Sequence, residues 1–150
     1  MLKKITVEII TFMIILLFLY TGMSKIIDFD DSKFQMQQSV AISQYAGLLA
    51  VALPFTELLV AVFLFMPKTK KLGLIISTIL MIIFTLYVVY MLTYFSNFER
   101  PCSCGGIMKK MSWVQHLYFN ITFTILCFVA LYFNRTNRKI EVISDGNIIE

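Results

Sequence analysis

The sequence predicts an all-α integral membrane protein, a four-helix bundle with both termini cytoplasmic. Three observations carry that prediction. The 150 residues are 59% hydrophobic and only 15% charged, with a mean hydropathy of +0.80, whereas a soluble domain needs nearer a quarter of its residues charged to cover its surface. Four apolar runs are each long enough to cross about 30 Å of hydrocarbon at about 1.5 Å of rise per residue. Lys and Arg are then distributed unevenly between the two sides of those runs. The same composition excludes a disordered chain, a repeat array and a nucleic-acid module. The formal charge of +4 is accordingly read first as a topology signal rather than as phosphate binding.

The first span is expected over residues 5–24. Lys3 and Lys4 before it imitate a secretory signal, but the run continues to Met23 without a small-x-small cleavage pattern, and no cysteine near its end forms a lipobox. The second span is expected over 46–66, the third over 72–95 and the fourth over 113–133, with a polar cytoplasmic tail at 134–150. The stub, the second loop and the tail hold eight basic residues: Lys3, Lys4, Lys68, Lys70, Lys71, Arg135, Arg138 and Lys139. The longer first and third loops hold five: Lys25, Lys33, Arg100, Lys109 and Lys110. The positive-inside rule therefore puts loops 25–45 and 96–112 outside. For a bacterial chain this means the periplasmic face of the inner membrane.

In the first outer loop an interfacial helix is expected, with Phe34 and Ala41 on one side, serving packing and headgroup contact. Ser112-Trp113-Val114-Gln115 fits a capping box, which starts the fourth span at Trp113. That ring belongs at headgroup level, with cofactor stacking as the alternative. In the tail, the Asn134-Arg135-Thr136 sequon is on the wrong side for use, and Asp145-Gly146 is a weak hairpin signal.

Pro101-Cys102-Ser103-Cys104-Gly105-Gly106 in the second outer loop is the strongest chemical feature. Thiols two residues apart can close a disulfide only if the backbone bends, and the flanking Pro and Gly residues supply a bend. So small a ring is strained, and strained or exposed disulfides are the exchangeable ones. The predicted compartment is one in which disulfides persist. Four readings stay open: thiol–disulfide exchange, a static clip that closes almost no loop, two unrelated thiols, or a half-site for copper or zinc completed by His116.

His116 is the only histidine in the chain and lies one turn, about 5 Å, below the capped end. It can carry a proton for a nearby thiol. Trp113, His116, Asn120, Thr124 and Cys127 follow at steps of three and four. This makes one polar stripe, expected to face the bundle. Cys127 falls about 21 Å from the outer end and is read as a packing residue. Glu57 is the one acid well inside a span, and a carboxylate there must be neutral or find a partner. Lys25 is the available one, but an axial offset of about 16 Å separates them if residues 24 and 46 share the outer boundary.

The run Phe18-Leu19-Tyr20-Thr21-Gly22-Met23-Ser24-Lys25, with Pro54 and Glu57 in the second span, resembles the DoxX-like membrane proteins. The outer Cys102-x-Cys104-x-Gly106, followed by Ser112-Trp113 and by Asn120, resembles the MauE branch, typified by the methylamine-utilisation membrane protein. The likeness extends to about Phe133. It implies an inner-membrane protein tied to periplasmic thiol redox, which helps a partner fold or form disulfides, often beside a thioredoxin-like protein. MauE-type sequences commonly carry Arg before the last-span Asn; here Phe119 stands there, so no role of that Arg transfers. The reading carried forward is an exchange of electrons between Cys102 and Cys104 and a thioredoxin-like or client thiol protein. No cofactor motif is present, and a membrane quinone near His116 and Trp113 is the candidate electron acceptor. The rival is a non-catalytic assembly factor whose cysteines only brace the loop.

Overall fold

The computed structural model describes residues 2–39, 42–94 and 112–146, with side chains over 5–39, 42–93 and 112–134. The described residues form α1 (Leu2–Ile27), α2 (Phe29–Gln38), a 3₁₀ turn (Ser43–Tyr45), α3 (Ala46–Phe65), α4 (Lys70–Tyr94) and α5 (Trp113–Gly146). There is no strand among them. Four of the helices contain stretches long and apolar enough to cross a membrane: Ile5–Ile27, Ser43–Phe65, Lys70–Thr93 and Trp113–Asn134. Helix is the one open-ended structure that satisfies its own backbone in hydrocarbon. Threonine hydroxyls inside the spans do likewise, bonding back to the carbonyl four residues earlier: Thr11 to Val7, Thr78 to Leu74 and Thr85 to Met81.

The spanning helices form a ring in which α1 packs on α3 and α5, and α4 also packs on α3 and α5. Ile14, Phe18, Val60, Leu64 and Leu74 are buried at its centre. Ile9, Phe12, Phe55, Ile79 and Phe128 point outward and exposed, a surface that suits lipid and not water. Two close approaches set the register. A Cβ on Gly22 would lie 3.2 Å from Leu58 Cγ and 3.3 Å from the Pro54 carbonyl oxygen, so α1 rests directly on the proline turn of α3. One on Gly73 would lie 2.8 Å from the Leu64 nitrogen, at the turn joining α3 to α4. Thr69 secures that turn by donating to the Phe63 carbonyl at 2.9 Å, and Lys70 pairs with Glu8 across the same end of the bundle.

Three expectations need correction. α1 runs on to Ile27, beyond residue 24. The loop helix forms, but Ser32 and Met36 are its buried residues while Phe34 stays exposed; Ala41 lies outside the described residues. The fourth span ends at Asn134, within one residue of the expected bound, but α5 stays helical to Gly146, so the Asp145-Gly146 pair forms no hairpin turn, because a helix already stabilised by packing propagates at little cost per residue.

The start of α5 follows the capping box. The Gln115 amide donates to Ser112 Oγ at 3.3 Å, and the Ser112 amide donates to Gln115 Oε1 at 2.8 Å. Ser112→Ala removes one half of that exchange, worth about 1 kcal/mol. Hydrogen exchange at the first-turn amides of α5 is expected to speed up about fivefold, with the remaining helices unchanged.

Candidate functional site

The register set by Gly22 brings Lys25 and Glu57 together. With Gly22 level with Pro54 and Leu58, Lys25 sits about one helical turn, ~6 Å, closer than Glu57 to the end of the bundle at which α1 is joined to α3. Helical side chains tilt toward the N-terminus of their own helix. In the antiparallel α1–α3 pair those directions converge, and the four-carbon lysine stem covers the gap. Lys25 Nζ donates to Glu57 Oε1 at 2.7 Å, with both side chains almost wholly buried. The offset of about 16 Å is thus too large, because α3 begins well beyond the level at which α1 ends and α2 fills the intervening chain. Glu57 Oε2 is buried with no hydrogen bond of ordinary length among the described residues; the Thr21 hydroxyl beside the carboxyl donates to the Leu17 carbonyl at 3.0 Å.

This ion pair lies on one wall of a cavity of ≈ 200 Å³. The α5 stripe supplies the opposite wall: Trp113, His116 and Asn120 all line it. His116 is 1% exposed, its ring 6.2 Å from that of Trp113 between centroids. Asn120 Nδ2 donates to the His116 carbonyl at 2.9 Å, so that amide group braces its own helix. Further down the stripe, the hydroxyls of Thr124 and Thr85 meet at 3.1 Å across α5 and α4. Cys127 ends it as a fully buried thiol in the apolar core, consistent with a packing residue.

The remaining walls escaped sequence reasoning. Met36 and Ile42 come from the first loop, and Met81, Phe84 and Tyr87 from α4. A hydrogen bond of 2.9 Å between Ser39 Oγ and Tyr87 Oη ties that loop to α4. The α4 contribution has a signal: Ser77, Thr78, Met81, Thr85 and Val88 recur at helical spacing and mark its inward face. Nothing in the loop's weak periodicity singles out Met36.

Of the residues singled out from the sequence, Lys25, Glu57, Trp113, His116 and Asn120 therefore converge on one chamber. Cys102 and Cys104 lie outside the described residues, as does any metal set that uses them. Among the described residues no three His, Cys, Asp or Glu side chains are grouped to hold a metal ion.

A four-span membrane protein with a buried ion pair facing an aromatic-walled chamber is the class that fold and site define. Within that class the chain belongs to the MauE family: residues 3–133 match the family described as Methylamine utilisation protein MauE. No curated protein and no solved structure matches it.

Proposed function

We propose that the chain is a bacterial inner-membrane protein whose Cys102 and Cys104 exchange disulfides with an extracytoplasmic thioredoxin-like or client thiol protein and so support that partner's maturation. In each exchange a thiolate attacks a disulfide sulfur, a mixed disulfide forms, and the second thiol of the attacking pair resolves it. One S–S bond opens as another closes, so electrons balance between the pair and the partner. The family is described as Methylamine utilisation protein MauE, so methylamine utilisation is the setting we propose for the exchange.

The observation that supports this reading best is the placement of His116. The loop carrying Cys-x-Cys ends at the Ser112 cap, and one turn later the only imidazole of the chain is buried against the chamber. An imidazole one turn into the helix that follows the Cys-x-Cys loop in sequence is chemically suited to take a proton from a nearby thiol. The four apolar helices supply the membrane setting.

The test is Cys102→Ser/Cys104→Ser in the native host. The partner's disulfides are expected to be lost or misassigned while the membrane protein accumulates normally. A partner that matures unchanged would contradict the redox role and leave a scaffold whose cysteines brace the loop. Copper or zinc bound stoichiometrically to the purified wild type, and absent from the variant, would instead favour metal handling.

A further inference from the structure

We infer that the chamber is an intramembrane binding site for the ring of a lipid-soluble quinone. The inference goes beyond thiol exchange and uses neither Cys102 nor Cys104, so either reading can fail alone.

Size comes first. At ≈ 200 Å³ the chamber exceeds the cavity of about 150 Å³ that accepts one benzene in a protein core. It therefore has room for a substituted planar ring. Phe84, Tyr87, Trp113 and Phe119 line it, and aromatic faces favour a flat π-system through stacked or edge contacts.

Polarity narrows the ligand further. The polar wall is a carboxylate–ammonium pair, whose charges cancel. An anionic phosphate gains little there, because Lys25 already has its counter-ion. A neutral molecule with oxygens at its rim fits better. Lys25 carries three ammonium donors, of which one serves Glu57, leaving donors for a ring carbonyl. Glu57 Oε2, buried with no hydrogen bond of ordinary length among the described residues, can accept from a ring hydroxyl. Acceptor and donor positions side by side suit the oxidised and the reduced form of the same ring. A buried polar atom left unsatisfied is costly, and a quinol hydroxyl would recover that cost.

Access is also present. Ile83 lines the chamber and is 53% exposed on the outer side of α4. That wall therefore reaches the lipid, where an isoprenoid tail would lie.

The full-length protein in phosphatidylcholine nanodiscs can be titrated with decylubiquinone while the fluorescence of Trp113, the sole tryptophan, is followed. Saturable quenching is expected. Two variants should each weaken it at least tenfold: Lys25→Met/Glu57→Gln, which removes both charges together, and Leu53→Phe, which fills the chamber and keeps the pair. Helical circular dichroism and gel filtration establish that each variant is folded. Quenching that rises linearly and equally in all three proteins reports only partition into the bilayer and would overturn the inference. So would saturable quenching that neither folded variant alters, or displacement of the probe by equimolar phosphatidylglycerol.

Discussion

Lys25→Met alone, or Glu57→Gln alone, is expected to destabilise the bundle by about 3–5 kcal/mol, while the double variant Lys25→Met/Glu57→Gln recovers most of that loss. The reason is the environment of the pair. Each single variant strands the other group in a low-dielectric interior at membrane depth, where an unpaired charge is costly. Removing both leaves two neutral side chains of nearly unchanged volume, and the packing of α1 on α3 persists. Thermal unfolding of the purified protein in one detergent, run on all four members of the cycle, gives the coupling directly. A coupling of several kcal/mol is expected; additive effects would show that the 2.7 Å contact contributes little.

Gly73→Ala should carry the second large effect. Alanine normally gains about 1 kcal/mol over glycine inside a helix, but here the new Cβ would sit 2.8 Å from the Leu64 nitrogen and 3.0 Å from the Phe63 carbonyl carbon. Both are backbone atoms, so α3 and α4 must separate, and overpacking of this kind costs about 1–3 kcal/mol. The loss should exceed that of Gly22→Ala, whose two nearest contacts are with the Leu58 side chain at 3.2 Å. Gly47→Ala, with nothing within 4 Å, should be neutral or stabilising. Melting temperatures of the three variants test the ranking.

Much of the bundle was legible in the sequence because the bilayer imposes long apolar runs and the cap of α5 is a local motif. The α5 stripe was legible too, since polar residues at steps of three and four must turn inward in lipid. The Lys25–Glu57 pair was only half legible. Both residues stand out, but their register depends on Gly22 seating against Pro54 and on α2 occupying the chain between α1 and α3. Those are tertiary facts that spacing along the chain does not encode. Met36 illustrates the same limit: α2 is short and mostly polar, so its buried face is chosen by what it lies against.

The chamber also bears on the cysteine pair. The sequence places Cys102 and Cys104 on the loop that ends at Ser112, and Ser112 starts the helix whose first turns supply Trp113 and His116 to the chamber. Loop chemistry and chamber are therefore neighbours in sequence, with Cys127 buried far below as an internal control.

Maleimide labelling of intact cells tests the central claim, an exchangeable thiol pair on the outer face, most directly. Without reductant the wild type should take no label, and after a membrane-impermeant reductant it should take two, both lost in Cys102→Ser/Cys104→Ser. Cys127 should react only after denaturation. Labelling confined to lysed cells would place the loop in the cytoplasm, and two labels without reductant would show free thiols and no disulfide; either result would contradict the account.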